Sequence, residues 1–323
     1  MLKRNSLLYY LLAGALAGLL LVLFLFLYFP PYDYSYRQTA DRRTFGSVMQ
    51  TLADPYYEAV DDKLRALAES KGDVLISRDA RQHADKQLEQ VYELLEQQPD
   101  GIFVSAVDWV QLAPALEAAE KAGVPVVALD AAPGLRHTSA TVSTDPDTAG
   151  ALCAEDLAAR LPQARILVLG QPGNRYSDTF ATRFREALPE GCTIIGEGDG
   201  RRQLAASSRV GDELLEACGG EVDAVVAVND QSAVGALAAL ERRGLQGKVL
   251  VYGMDGSPQA RAAIQKGMMT GTVNRDPYRL AQLAGDAMYA LLDDGVLEEN
   301  AMHVDVKLIT EENIGQYELT SWQ

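Results

Sequence analysis

Polar planar side chains recur in this chain at one kind of place, directly after a short apolar run. Asp130 follows VPVVAL, Asp255 follows VLVYGM, and Asn229 and Asp230 follow AVVAV. Asp54 opens Asp-Pro-Tyr-Tyr shortly after the run 45–49, and Arg275 precedes a second Asp-Pro-Tyr at 276–278. Asp178 lies past the loop Gly170-Gln171-Pro172-Gly173. Carboxylates accept hydrogen bonds, amides accept and donate, and a guanidinium donates, so such a set can orient a polyhydroxylated ligand in a pocket. The adjacent rings of Tyr56 and Tyr57 either stack on the C–H face of a sugar or belong to a core. Each acidic residue taken singly is equally a helix cap, and Asp54 followed by Pro55 is a cap signature.

Other chemistries lack their residues. There is no GxxxxGK[ST], no HExxH and no GxSxG, and the Gly170–Gly173 loop has no Lys-Ser/Thr to hold phosphate. His83, His137 and His303 share no spacing and read as surface residues. Three cysteines without a CxxC pair make neither a disulfide framework nor a zinc site. No cofactor or metal is expected. The enzyme reading that survives is a glycosidase working with two of the aspartates, which needs carboxyls about 5–5.5 Å or 6.5–9.5 Å apart; the expectation is a binding protein instead. Trp109, just past an apolar run, either lines the cleft rim or packs against the surface.

The elements that position these residues are legible as alternation. Apolar runs at 45–49, 74–77, 102–107, 124–129, 166–169, 193–195, 224–228 and 249–252 are separated by amphipathic stretches. Several runs are continuous rather than alternating, as parallel strands buried on both faces require. Between them, Ala84, Leu88, Val91 and Leu95 keep helical spacing, as do Val60, Leu64 and Leu67. Such alternation predicts an α/β fold with parallel sheets. Residues 100–130 and 223–255 are alike: each runs Asp, strand, turn, Ala/Leu-rich helix, strand, Asp. Two similar lobes follow, with the ligand at the carboxyl ends of the strands and hence in the cleft between lobes. Cys192 opens a strand and Cys218 ends the helix after it, so a disulfide between them is expected, worth ~3 kcal/mol in the chain-entropy model.

Residues 7–29 form 23 consecutive residues without charge, ~34 Å as a helix and enough for a bilayer core of ~30 Å. Lys3 and Arg4 place the N-terminus inside and the rest outside. The run is longer than a secretory h-region and ends in Phe29-Pro30-Pro31 rather than a small-x-small site, so an uncleaved single-pass anchor is expected. No cysteine follows it to carry a lipid. Gly14 and Gly18 form a GxxxG through which two such helices can pair. The chain carries 45 acidic against 29 basic residues, a net charge of −16, which excludes nucleic acid as a partner.

With these motifs in place, the chain resembles the type I periplasmic sugar-binding proteins of ABC transporters, close to ribose-binding protein. TLADPYYEAV, AGVPVVALD, VSTDPDTAG, AVVAVNDQSAVGALAAL, VYGMDGSP and GTVNRDPYRLA carry the resemblance, in that order, over about residues 45–315. It implies a two-lobed fold, each lobe a parallel sheet flanked by helices, preceded here by a transmembrane helix (1–29) and a linker (30–44). The implied N-lobe is 45–143 plus 277–304 and the C-lobe 144–276 plus 305–323. The implied ligand contacts are Asp54, Tyr56, Tyr57, Asp130, Asn229, Asp255 and Arg275, with Asp178 where ribose binders place an arginine. Ala131 also replaces an arginine, and Arg275 stands where a glutamine is usual, which argues against ribose itself. The implied ligand is a monosaccharide, polyol or amino sugar. Four aspartates against one arginine favour a neutral or cationic molecule over a sugar acid or sugar phosphate. The implied partner is an ABC permease, or a sensor histidine kinase, with the binding domain in the periplasm or cell-wall space.

Overall fold

The computed structural model describes Gly18 and residues 42–322. The chain divides into two units, Met1–Arg42 and Arg43–Gln323, and the second carries all that follows. The membrane helix expected over 7–29, with Gly14 of its pairing motif, and most of the expected linker lie outside the described residues. Among the described residues no helix is long and apolar enough to cross a membrane.

The first sheet contains β1 (Thr44–Met49), β2 (Val74–Asp79), β3 (Gly101–Ser105), β4 (Val126–Leu129) and β5 (Ala140–Thr144). The second contains β6 (Ala164–Gly170), β7 (Cys192–Asp199), β8 (Ala224–Ala227), β9 (Leu250–Asp255) and β10 (Gly271–Asn274). Two late strands, β11 (Ala301–Val304) and β12 (Lys307–Thr310), complete one edge of each. The orders are β11-β5-β4-β3-β1-β2 and β12-β10-β9-β8-β6-β7, the same pattern twice. Pairing is parallel except for β12, which runs antiparallel to β10. Each of the eight apolar runs supplies a strand, though those at 102–107, 124–129, 224–228 and 249–252 overrun the strand ends. β5, β10, β11 and β12 were not among them, because ATVST, GTVN, AMHV and KLIT are short and carry polar residues. β1 begins at Thr44, inside the expected linker, because Thr44 already pairs with Val74.

The helices are α1 (Pro55–Ser70), α2 (Ala84–Glu96), α3 (Trp109–Lys121), α4 (Pro146–Arg160), α5 (Arg175–Ala187), α6 (Leu204–Ala217), α7 (Asp230–Arg242), α8 (Pro258–Gln265) and α9 (Pro277–Asp293). Each sheet is covered on both faces. Val60 and Leu64 of α1 pack with Leu280 and Met288 of α9 on one face of the first sheet. Val91 and Leu94 of α2 pack with Leu112 and Leu116 of α3 on the other. In the second sheet Ile166 and Val168 of β6 face α4 and α5, whereas Leu167 and Leu169 face α6 to α8. This alternation, apolar on both sides, is what a doubly covered parallel strand demands. α4 and α5 cross closely at Gly150, where a Cβ would stand 2.5 Å from the Phe180 carbonyl oxygen.

The chain passes between the sheets after β5, after β10 and after β11. α4 thus packs under the second sheet and α9 returns to the first. The final residues cross again. Tyr317 and Leu319 pack on the second lobe, but Trp322 packs on the first, its ring edge-on to Tyr56 at 6.1 Å.

The expected disulfide is absent, since Cys153, Cys192 and Cys218 are all free thiols. The strand and helix ends do lie at the same edge of the sheet, but on opposite faces. Cys192 packs with the α4–α5 layer and Cys218 with the α6–α8 layer. Their thiols donate instead to the Leu161 and Leu215 carbonyls, at 3.6 and 3.5 Å. Thiol titration of unreduced, denatured protein is therefore expected to give three thiols per chain; one would restore the bond.

Candidate functional site

Helix caps bring the polar groups to the strand ends. Asp54 caps α1, its Oδ1 accepting from the Tyr56 N–H at 3.1 Å, with Pro55 at the first helical position. Asn229 caps α7, its Oδ1 accepting from the Ser232 N–H at 3.0 Å. Capping uses one oxygen and leaves the other heteroatom of each side chain free to face the other lobe. Asp130 follows β4 and Asp255 ends β9, and both have positive φ, 53° and 131°. For Asp130 this is the left-handed region, which aspartate tolerates better than most side chains.

These groups meet in a buried cluster of five charges. Arg275, from the crossover after β10, is fully buried. Its Nη2 donates to Asp130 Oδ2 at 2.5 Å, its Nη1 to Asp255 Oδ1 at 3.0 Å, and its Nε to Thr144 Oγ1 at 3.0 Å. Its guanidinium lies between the rings of Tyr56 and Tyr176, 4.1 Å from each centroid, a cation–π sandwich. Arg202, from the turn after β7, reaches the first lobe: Nη2 and Nε donate to Asp54 Oδ2 at 3.0 and 3.3 Å. Its Nη1 donates to the Val228 carbonyl at 3.2 Å, and Asp255 Oδ1 lies 3.7 Å from Nη2. Tyr57 donates its hydroxyl to Asp130 at 3.0 Å, and the Thr144 hydroxyl pairs with that of Tyr176 at 2.7 Å. The Asn229 amide donates to Asp54 at 3.4 Å and to the Arg202 carbonyl at 3.2 Å.

Burial pushes the Asp255 carboxyl well above the ordinary range against the opposing pull of Arg202 and Arg275, and the charge of Asp54 adds to the rise. For Arg275, burial alone would lower the pKa, but Asp130 and the surrounding tyrosines hold it well above the usual value. Burial likewise raises Tyr56, Tyr57 and Tyr176, so all three hydroxyls stay protonated.

Of the eight residues singled out in the sequence, the structure brings seven together: Asp54, Tyr56, Tyr57, Asp130, Asn229, Asp255 and Arg275. Asp178, the eighth, stands apart from the cluster. It is exposed on the first turn of α5, where its carboxylate accepts from the Gly173 N–H at 3.1 Å and closes the preceding turn. Both tyrosines are core residues and site residues at once, buried in the apolar cluster of the first lobe while facing the charges.

Arg202, Thr144 and Tyr176 were not singled out. A signal for Arg202 exists: Asp199-Gly200-Arg201-Arg202 echoes Asp79-Ala80-Arg81-Gln82 at the matching place in the first lobe. In both turns the aspartate accepts from the arginine N–H two residues on, at 2.9 and 2.8 Å. The last two residues of both have positive φ. With Asp178 removed and Arg202 added, three carboxylates face two guanidiniums rather than four facing one.

Two cavities open between the lobes beside this cluster. One, of 250 Å³, is lined by Gln50, Tyr57, Trp109 and Asn174 among others. The other, of 630 Å³, lies against the crossovers after β5 and β11. Asp130, Arg175 and Tyr176 line both.

Comparison with known proteins agrees with this architecture. The chain is 26% identical to a ribose import binding protein of Bacillus subtilis over 270 residues, 83% of this chain and 87% of that protein. It is 27% identical to a D-xylose-binding periplasmic protein of Haemophilus influenzae over 241 residues, 72% and 73% of the two chains. A solved Caulobacter myo-inositol binding protein superposes with a TM-score of 0.80 at 24% identity, covering 85% of this chain and 96% of that one. Residues 45–295 match the family described as periplasmic binding protein domain. The chain belongs to the periplasmic binding protein family.

Proposed function

We propose that this protein captures a sugar-like ligand between its lobes outside the cytoplasm and presents it to an ABC importer. One observation carries the reading: hydrogen-bonding side chains converge from both lobes at the strand ends, Asp54 and Asp130 from one, Arg202, Asn229 and Asp255 from the other. A ligand touching both lobes favours the closed arrangement by its difference in affinity for closed over open, and a membrane partner can read that difference. The ribose- and xylose-binding relatives support a monosaccharide, polyol or amino sugar as the ligand class. The buried cluster carries one carboxylate more than guanidiniums and Arg175 on the cavity wall offsets it, so a neutral molecule is favoured over a sugar acid or phosphate, which would bring charge into a desolvated site beside buried carboxylates. The 23-residue apolar run at 7–29 supports a membrane anchor and, with it, a second role as co-receptor for a sensor kinase.

Calorimetry with pentoses, hexoses, inositols, amino sugars, uronic acids and sugar phosphates tests the ligand class. Saturable binding of a neutral sugar, with recovery of that sugar unchanged, is the expected result. Selective binding of a sugar acid or phosphate would overturn the charge argument, and chemical conversion of the bound sugar would overturn the binding-protein reading.

A further inference from the structure

The three cleft carboxylates differ in what they offer to a molecule between the lobes. Asp54 accepts from Arg202 and Asn229, and Asp255 from Arg275, at 3.0–3.4 Å, and neither of the two lines a cavity. Asp130 borders open space on two sides. It forms, with Tyr176 and the exposed Arg175, a ridge between the two cavities. The floor of the cleft is thus protein, and the open volume above it is divided.

The compartments differ in size and chemistry. At the ~30 Å³ that one water occupies in the liquid, the smaller has room for about eight waters, comparable to one hydroxylated six-membered ring. Its cavity measures 250 Å³, and Trp109 and Tyr57 supply flat apolar faces beside the polar Gln50, Ser105 and Asn174. The larger measures 630 Å³. Val304, Val306, Pro133 and Pro146 give it apolar walls, and Ser143 and Asp145 give it acceptors. A monosaccharide filling the first compartment leaves the second to water. A molecule crossing the Asp130–Tyr176 ridge would bury surface in both, and apolar burial is the part of affinity that scales with the ligand.

Resting on the reading of the cleft as a sugar site, we infer that the site extends beyond the single ring proposed above, which it still admits, and that its preferred ligand is a disaccharide. One ring lies against Trp109 and Tyr57, the linkage crosses at Asp130, and the second ring lies in the compartment beside the crossovers. Arg175 belongs to this assignment. Its side chain has no ion pair or hydrogen bond among the described residues, and it lines both compartments.

The test is calorimetry of the protein with a panel of disaccharides and with their constituent monosaccharides. At least one disaccharide is expected to bind about tenfold or more tighter than either of its own constituents. Thr179→Trp, on the wall of the larger compartment alone, is expected to abolish that gain while leaving monosaccharide binding unchanged, with folding checked by thermal melting. Monosaccharides binding as tightly as every disaccharide would overturn the inference. So would a folded Thr179→Trp variant that keeps the gain. If that variant does not fold, the comparison within the native protein decides by itself. Binding of neither class would overturn the sugar-site reading on which this inference rests, an outcome distinct from preference for single rings.

Discussion

Replacement of Arg275 by methionine is expected to destabilise the protein by about 3–5 kcal/mol, the cost of leaving buried charges without their partner. Methionine fills much of the space between Tyr56 and Tyr176, so the packing loss is small. What disappears is the donor set: Asp130 and Asp255 lose their contacts at 2.5 and 3.0 Å, and Thr144 loses one at 3.0 Å. Three carboxylates then share a single guanidinium. At roughly 2–4 °C per kcal/mol for a chain of this size, the melting temperature should fall by about 6–20 °C. Asp255→Asn should behave oppositely. The cluster holds one carboxylate in excess, and asparagine removes that charge while keeping an oxygen for Arg275. The pH dependence follows from the raised pKa of Asp255. A carboxyl that binds its proton more tightly folded than unfolded adds stability below its unfolded pKa, ~3.9, and that contribution is lost as pH rises through the raised folded value. At neutral pH the charged form is therefore a cost, and the asparagine variant should melt at or above the native temperature. The advantage should shrink as the pH falls toward 4. Melting curves of both variants between pH 4 and 8 check this. An Arg275→Met variant within about 2 °C of the native protein would show that the cluster is not held by its charges.

Asp130→Asn is expected to weaken binding of the sugar ligand by about ten- to a hundredfold, or ~1.5–3 kcal/mol. Among the three cleft carboxylates it is the one that borders both cavities. A sugar hydroxyl donating to a carboxylate makes a charge-assisted bond, roughly twice as strong as a neutral one, and the amide forfeits that difference. Asparagine suits the left-handed backbone at this position, where φ is 53°, whereas alanine would add strain there. The matched control is Asp178→Asn. Asp178 is exposed and closes a turn through Gly173, so its loss should leave affinity unchanged. Calorimetry on the two variants separates the cases; equal effects at both positions would put the ligand elsewhere.

Much of this protein was determined by local pattern. Continuous apolar runs and 3.6-residue spacing specify buried parallel strands and their helices, and an aspartate or asparagine after a strand specifies a cap. Since capping residues sit at strand ends, where an open α/β sheet places its ligand, reading the caps also picked out as candidates Asp54, Asn229 and the strand-end residues Asp130 and Asp255, which the structure gathers in one buried cluster. Local pattern failed where the deciding neighbour was distant in sequence. Asp178 and Asp54 look alike as acidic residues near a helix start, yet one faces solvent and the other faces Arg202, 148 residues away. Cys192 and Cys218 end adjacent elements at the same edge of a sheet, and only the sheet's two faces separate them. Arg202 escaped the pattern because a single charged residue in a turn is ordinarily solvated, and Arg275 was legible only from its place before Asp-Pro-Tyr and from the family resemblance. Their burial exists only once two lobes close carboxylates around them, and pairing of that kind is a property of the tertiary structure.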